Sequence, residues 1–87
     1  MSERSNNIRK EILMQLFAVR PLSLRAARIA RDAKKADYDY SEAEIKSELQ
    51  FLEDEKLVIG EREPGTTGKV YRINALGVTV YEEKYSA

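Results

Sequence analysis

The residues with the clearest chemical potential are the arginines and lysines between positions 25 and 35. On a helical wheel, the segment LRAARIARDAKKA gathers four apolar residues on one face: Ala26, Ile29, Ala30 and Ala33. The opposite side and its flanks carry five cations: Arg25, Arg28, Arg31, Lys34 and Lys35. Such a row suits contact with phosphates. A solvated face that keeps a small domain soluble is the simpler interpretation, and the sequence leaves both open.

A second chemically informative stretch is SEAEIKSELQFLEDEKLV, residues 41–58. If Ile45, Leu49 and Leu52 point inward, the outward strip consists of Ala43, Ser47, Gln50 and Asp54, with Lys46 at its edge. A glutamine suits adenine, a serine donates or accepts, and a lysine reaches phosphate or guanine. However, the stretch carries six acids against two lysines. Its first turns therefore suit the groove of a nucleic acid, whereas its last turn would repel phosphates.

Composition narrows the class of protein. Eighty-seven residues predict one domain, 1–87, with a modest core. The absence of cysteine and histidine excludes disulfides, the usual zinc sites and the commonest general base. Since GTTGK precedes a strand rather than a helix, it is no phosphate-binding loop. We expect no enzyme, no cofactor and no bound metal.

Formal net charge is zero, but the charges are unevenly distributed along the chain. Residues 1–37 hold nine Lys/Arg and four Asp/Glu, a net of +5. Residues 38–63 hold three and nine, a net of −6, and residues 64–87 hold three and two, a net of +1. The N-terminus lacks the apolar core of a signal peptide, and no apolar run reaches the ~18 residues of a membrane span. We therefore expect a cytoplasmic protein that does not enter membranes.

The elements that would position these side chains begin with a helix in SNNIRKEILMQLFAVRP. Its predicted cap is Ser5, Asn6 or Asn7, and Pro21 ends it. A short extended piece, 22–24, should follow, and Ser23 is the predicted cap of the second helix.

The later elements have stronger local signals. Ser41 and Glu44 have the spacing of a capping box at the start of the third helix. VIGER, EPGTTG and KVYRIN predict a hairpin with a glycine-containing turn. Asn74 is placed to cap a last helix, although Val78, Thr79 and Val80 would also suit a strand. The predicted order is helix, short strand, helix, helix, hairpin, helix, an α+β fold.

This order, and the run LQFLEDEKLV followed by a glycine-containing hairpin and VYRINALGVTVYE, resembles the winged helix-turn-helix superfamily. Within it, the layout is most similar to small winged-helix proteins of Mu-like bacteriophages and prophages, commonly labelled transcriptional regulators. Lys56 departs from the pattern, because relatives usually have a glycine there in a left-handed conformation. If Lys56 adopts that conformation, the cost is about 1 kcal/mol relative to glycine.

The resemblance implies binding to duplex DNA through the third helix, with the second helix and the hairpin, or wing, on its flanks. The candidate DNA-binding residues are Arg25, Arg28, Arg31, Lys35, Lys46, Ser47, Gln50, Arg62, Lys69 and Arg72. One module offers few contacts, so a homodimer through the first and last helices is expected. The alternative hypothesis is a winged helix that docks on another protein and does not bind nucleic acid. Zero net charge and the acidic third helix motivate that alternative.

Overall fold

The computed structural model describes residues 2–85, which form four helices and one small sheet. The helices are α1 (Glu3–Val19), α2 (Ala26–Lys35), α3 (Glu42–Asp54) and α4 (Ala75–Val80), and α4 continues into a π-helical turn, Tyr81–Tyr85. The strands are β1 (Leu24–Arg25), β2 (Val58–Arg62) and β3 (Lys69–Ile73), in the antiparallel order β1-β3-β2. This α+β winged-helix architecture confirms the predicted order of elements. Among the described residues, no helix is both long and apolar enough to cross a membrane.

The core lies where the first three helices meet the sheet. Its largest fully buried side chains are Ile12, Leu13, Leu16, Ile29, Ile45, Leu49 and Leu52. The inward stripe predicted for the third helix is therefore confirmed. Burial of each such side chain contributes roughly 1.5–3 kcal/mol, so this cluster is the main source of stability.

Helix α1 begins earlier than predicted. The Ser2 hydroxyl oxygen accepts a hydrogen bond from the backbone N–H of Ser5 at 3.0 Å, which makes Ser2 the N-cap. The prediction of Ser5, Asn6 or Asn7 was wrong, because these polar residues lie inside the first turns. The side chain of Asn6 instead accepts from the Tyr85 hydroxyl at 3.3 Å, a tertiary contact.

Helix α2 also starts differently. Ser23 is not its cap: the N-cap is Arg25, whose side chain makes no capping hydrogen bond. The reason is that Leu24 and Arg25 pair with Tyr71 and Val70 of β3. The strand thus runs directly into the helix, and sheet pairing replaces the side-chain cap.

Lys56, which departs from the usual glycine, ends α3 in the left-handed conformation that the resemblance associates with this position. Its φ is +64°, the left-handed region. The Lys56 N–H donates to the Glu53 carbonyl at 3.0 Å, and the Leu57 N–H donates to the Leu52 carbonyl at 2.9 Å. These two bonds form a Schellman motif, which ends the helix and turns the chain into β2.

Helix α4 begins where its cap was predicted. The Asn74 side chain accepts from the Gly77 N–H at 2.7 Å and donates to the Lys56 carbonyl at 2.6 Å. Gly77 is buried, and a Cβ atom there would overlap the carbonyl oxygen of Leu57. Its missing side chain lets α4 approach the end of α3 closely.

We therefore expect Gly77→Ala to lower the free energy of unfolding by about 1–3 kcal/mol or more, because the clash is with backbone that cannot move aside. Urea denaturation followed by circular dichroism measures the change. Gly60→Ala is the matched control, since a Cβ there meets only the movable ends of Lys69 and Glu53. Equal losses in the two variants would contradict this interpretation.

Candidate nucleic-acid interface

The first turn of α3 is held by the predicted capping box. The Ser41 hydroxyl oxygen accepts from the Glu44 N–H at 3.1 Å, and the Glu44 carboxylate accepts from the Ser41 N–H at 3.1 Å. This reciprocal pair satisfies two backbone donors and defines where the helix begins. It therefore sets the position of Lys46 and Ser47, the first candidate DNA contacts.

An arginine from α1 reinforces this start. Arg4 donates to both carboxylate oxygens of Glu44, from Nε at 2.7 Å and from Nη2 at 3.0 Å, and Nη2 also donates to the Asp39 carbonyl at 3.2 Å. The hydrogen bond from Arg4, followed by that from Ser41, lowers the pKa of Glu44 to about 2. Arg4, Asp39, Ser41 and Glu44 thus form one hydrogen-bonded cluster, the clamp at Glu44, which joins α1, the linker before α3 and α3 itself.

One turn further along α3, Glu48 pairs with Arg9 of α1. The Arg9 Nε lies 2.6 Å from Glu48 Oε1, and the two side chains are only 9% and 12% exposed. The Arg9 guanidinium also lies over the Phe51 ring, 3.5 Å from its centroid. This contact packs Phe51 against α1. This flank of the acidic helix is used to pack the fold.

The opposite flank of α3 pairs with cations in the same way. Glu42 lies 3.0 Å from the Lys46 ammonium, and Glu53 lies 2.8 Å from the ammonium of Lys69 on β3. The hydrogen bond to Glu53 raises the pKa of Lys69. Four of the six acids in this segment are therefore partnered by basic side chains.

The outward strip of α3 is exposed over its whole length, as the helical wheel predicted: Ala43, Lys46, Ser47, Gln50 and Asp54. The Gln50 amide donates to the Asp54 carboxylate at 2.9 Å. Within residues 2–85, Ser47 makes no side-chain hydrogen bond. The exposed Ser47 and Gln50, next to Lys46 on this strip, are side chains that could hydrogen-bond to base edges.

A groove of about 380 Å³ lies between the start of α2, the first turn of α3 and the wing. It brings together three of the predicted site residues, Arg25, Lys46 and Lys69. The wing turn contributes Thr66 and Thr67, which sequence reasoning missed because a turn threonine carries no functional signal of its own. Two acids, Glu42 and Glu63, also line this groove, together with Ala26, Ala27, Gly68 and Tyr71.

The remaining cations of α2 differ in their pairing. The Asp32 carboxylate lies 3.0 Å from the Arg28 Nε and 3.8 Å from the Lys35 ammonium, and Arg25 pairs with Glu63 of the wing. Arg31 is exposed and has no ion pair within the described part of the chain.

The wing also has one arginine that pairs with a carboxylate and one that does not. The Arg72 Nε lies 3.2 Å from the Glu61 carboxylate, a diagonal pair across β3 and β2. Arg62 is exposed and makes no ion pair among the residues from 2 to 85. Thus six of the eight predicted cationic site residues have a carboxylate partner: Arg25, Arg28, Lys35, Lys46, Lys69 and Arg72.

The sequence already contained part of this pairing. Arg28 with Asp32 and Glu42 with Lys46 are four residues apart on their helices, the spacing that brings side chains together. The pair between Lys69 and Glu53 joins residues 16 positions apart. Only the docking of the wing beside α3 brings these two residues together.

The fold defines a winged-helix α+β protein, and the comparisons with known proteins agree. No protein-family model matches the chain, and no curated protein matches it. Solved structures share the fold, three of them at TM-scores of 0.73–0.81. One is a transcriptional regulator from Clostridium thermocellum, Cth-833, with a TM-score of 0.81 and 21% identity over 99% of this chain and 85% of that one. TA0346 from Thermoplasma acidophilum, described as a transcriptional regulator, has a TM-score of 0.79 and 17% identity over 100% of this chain and 85% of that one. A mutant of ZitR from Lactococcus lactis in its apo form has a TM-score of 0.73 and 21% identity over 97% of this chain and 58% of that one.

These likenesses concern the fold. Identities of 17–21% establish the architecture, and this chain spans 58% of the length of ZitR. The order of elements predicted from the sequence is thus found in proteins described as regulators.

The clamp at Glu44 predicts a pH dependence of stability. Because the folded-state pKa of Glu44 is about 2, below its ordinary value of 4.5, ionised Glu44 stabilises the fold above pH 4.5. This contribution is lost as the pH falls from 4.5 towards 2. Glu44→Gln keeps a side chain able to complete the capping box but removes the charge. We expect its melting temperature to fall less steeply over that pH range than that of the wild type.

The matched control is Glu82→Gln, an exposed carboxylate that has no ion pair within residues 2–85. Calorimetric scans of both variants from pH 6 to pH 2 make the comparison. If Glu44→Gln and Glu82→Gln gave parallel curves, the clamp would not be a source of acid sensitivity.

Proposed function

We propose that this chain is a DNA-binding transcriptional regulator that docks the first turns of α3 against duplex DNA. The observation that carries the proposal is the groove that gathers Arg25, Lys46 and Lys69 between α2, α3 and the wing. The exposed Ser47 and Gln50 follow Lys46 on the same helix. In this arrangement the cations contact phosphates, while the two polar side chains address base edges.

The acidity of α3, which counted against DNA binding in the sequence, is largely neutralised by the fold. Glu44 and Glu48 bind Arg4 and Arg9 of α1, so these carboxylates do not lie on the outward strip. Glu53 is paired with Lys69. This supports the DNA-binding hypothesis over the protein-docking alternative, because the acidic surface that motivated the alternative is smaller than the sequence indicates.

In the ion pairs of the candidate interface, a DNA phosphate can replace the carboxylate. The arginines and lysines in them have side chains 39–74% exposed. Exposed pairs contribute only about 0–1 kcal/mol each, so a phosphate can replace a carboxylate at little cost. Gln50 likewise exchanges its contact with Asp54 for a base edge. Six of the eight cations share five carboxylates, and Arg31 and Arg62 have no ion pair within residues 2–85, so the proposed interface keeps a positive excess towards phosphate.

A homodimer through α1 and the last helix belongs to this proposal, since two modules would double the contacts. The tyrosines of the last helix do not support the dimer. The Tyr81 ring packs at a tilt of 37° on Phe17 of α1, with ring centroids 4.9 Å apart, and Tyr85 is buried. Both tyrosines therefore pack within the monomer. The exposed large apolar side chain of α4 is Leu76, which is 52% exposed and could contact a partner. The similarity to regulators of Mu-like phages likewise stays a prediction.

The proposal predicts a salt-dependent affinity for duplex DNA. Arg31→Gln and Arg62→Gln remove exposed cations without leaving a described carboxylate unpaired. If each contacts a phosphate, each substitution should reduce the slope of log K against log salt by about 0.9. Fluorescence anisotropy with random-sequence duplex at several salt concentrations measures the slope.

Lys84→Gln provides the control, because Lys84 lines a different groove, beside the last helix. Its slope should equal that of the wild type. A protein that binds no duplex even at low salt would remove the DNA hypothesis and leave the protein-docking module. Unchanged slopes for Arg31→Gln and Arg62→Gln alone would instead relocate the interface.

Removing an acid should have the opposite effect. Glu53→Gln frees the Lys69 ammonium from its carboxylate partner, so we expect severalfold tighter binding at low salt and a steeper salt slope. Glu82→Gln, which changes net charge equally, controls for long-range attraction. Equal gains in the two variants would show that Lys69 is not at the interface.

A further inference from the structure

A second groove lies between α1 and the linker that joins α2 to α3. Its volume is about 500 Å³, within the range of small-molecule sites. Glu11, Met14, Tyr38 and Tyr40 line it, with Lys10 also on its wall. None of its residues belongs to the proposed DNA interface, so that function leaves this groove unexplained.

The groove contains a buried carboxylate. Glu11 is 7% exposed, and its Oε2 accepts a hydrogen bond from the Gln15 amide at 2.9 Å. The same amide nitrogen donates to the Ile29 carbonyl at 3.0 Å, which holds it in place. Among residues 2–85, no lysine or arginine lies within 4.0 Å of this carboxylate. A buried carboxylate is costly unless a positive group or several hydrogen bonds compensate it.

The walls of the groove are aromatic and apolar. The rings of Tyr38 and Tyr40 stack with centroids 5.5 Å apart and planes 4° from parallel. Tyr38 is 47% exposed and Met14 is 40% exposed, and these are two of the four large apolar side chains that the described chain leaves exposed. Aromatic faces attract cations, and methionine adapts to irregular apolar shapes.

We propose that this groove binds a small molecule that carries a protonated amine on an apolar body. The ammonium would supply the positive charge that Glu11 lacks, and the body would cover Tyr38 and Met14. Lys10 on the wall disfavours a second positive group on the ligand. The ligand class is therefore a monoamine of aromatic size.

The groove lies where a bound ligand would affect the start of α3. This coupling to α3 rests on the proposed function. Tyr40 directly precedes the Ser41 cap, and the Arg4 guanidinium lies 5.2 Å from the Tyr40 ring centroid. Arg4 in turn holds Glu44. A ligand that orders Tyr38 and Tyr40 therefore acts on the residues that define the start of the candidate recognition helix.

The test uses 2-phenylethylamine as the probe and 2-phenylethanol as its uncharged counterpart, without DNA. Titrations of the full chain are followed by two-dimensional NMR. We expect saturable shifts at Glu11 and Tyr38 with the amine, and at least tenfold weaker binding of the alcohol. Glu11→Gln keeps an acceptor for Gln15, and it should weaken binding of the amine at least tenfold while hardly changing that of the alcohol.

Two further variants keep the test decisive if Glu11→Gln unfolds the protein. Tyr38→Ala removes an exposed ring and should weaken binding of both probes, whereas Lys10→Gln should strengthen binding of the amine severalfold. Glu82→Gln should change neither. Absence of saturable shifts up to about 10 mM amine, roughly ten times the dissociation constant of a weak ligand at about 1 mM, would overturn the proposal. Equal affinity of the amine and the alcohol would overturn it too.

The link to α3 has a separate readout. Amine added to a complex with duplex DNA should change the affinity for DNA in the wild type and not in Tyr38→Ala. Binding of the amine without any effect on DNA affinity would overturn the coupling and leave the ligand site. A chain that binds the amine but no DNA would overturn the proposed function alone.

Discussion

The orientation of α3 depends most on the buried ion pair between Arg9 and Glu48. Two opposite charges that are each about nine-tenths buried must lie within contact distance, because either one alone would be strongly destabilising at that depth. We therefore infer that the pair favours this register of α3 on α1. The Arg4 pair with Glu44 repeats the constraint one turn earlier, at the surface. The apolar contacts between the helices stabilise the fold, and the ion pairs select how the helices align.

This constraint changes what the acidic segment means. In the linear sequence the charges of residues 38–63 give a net of −6, which opposes contact with a polyanion. In the fold, Arg4 and Arg9 of α1 and Lys69 of β3 pair with three of these acids, and the pair made by Arg9 is buried. Many of the opposite charges that sum to zero are therefore paired with each other within the fold. The surface left around the wing groove is governed by individual cations rather than by overall charge.

Two of the grooves lie near the start of α3. One lies between this start and the wing, and the other lies beneath the linker that leads into it. Ser41, Glu44 and Arg4 hold the first turn by hydrogen bonds of 2.7–3.1 Å. We propose this helix start as the connection between the two grooves.

Local signals in the sequence determined much of the fold. The inward stripe of α3, its capping box, the hairpin and the Asn74 cap all follow from spacing and turn chemistry within a few residues, and the structure has them all. The caps of α1 and α2 were not determined locally, since Asn6 is held by Tyr85 and Arg25 by pairing with β3. The candidate site divides in the same way: the sequence identified the cations and the outward face of α3. The ion pairs within α2 and α3 follow from their local spacing. Only tertiary packing brought Arg9 to Glu48 and Lys69 to Glu53 and buried Glu11 beside two tyrosines, because these contacts join residues that are distant in the chain.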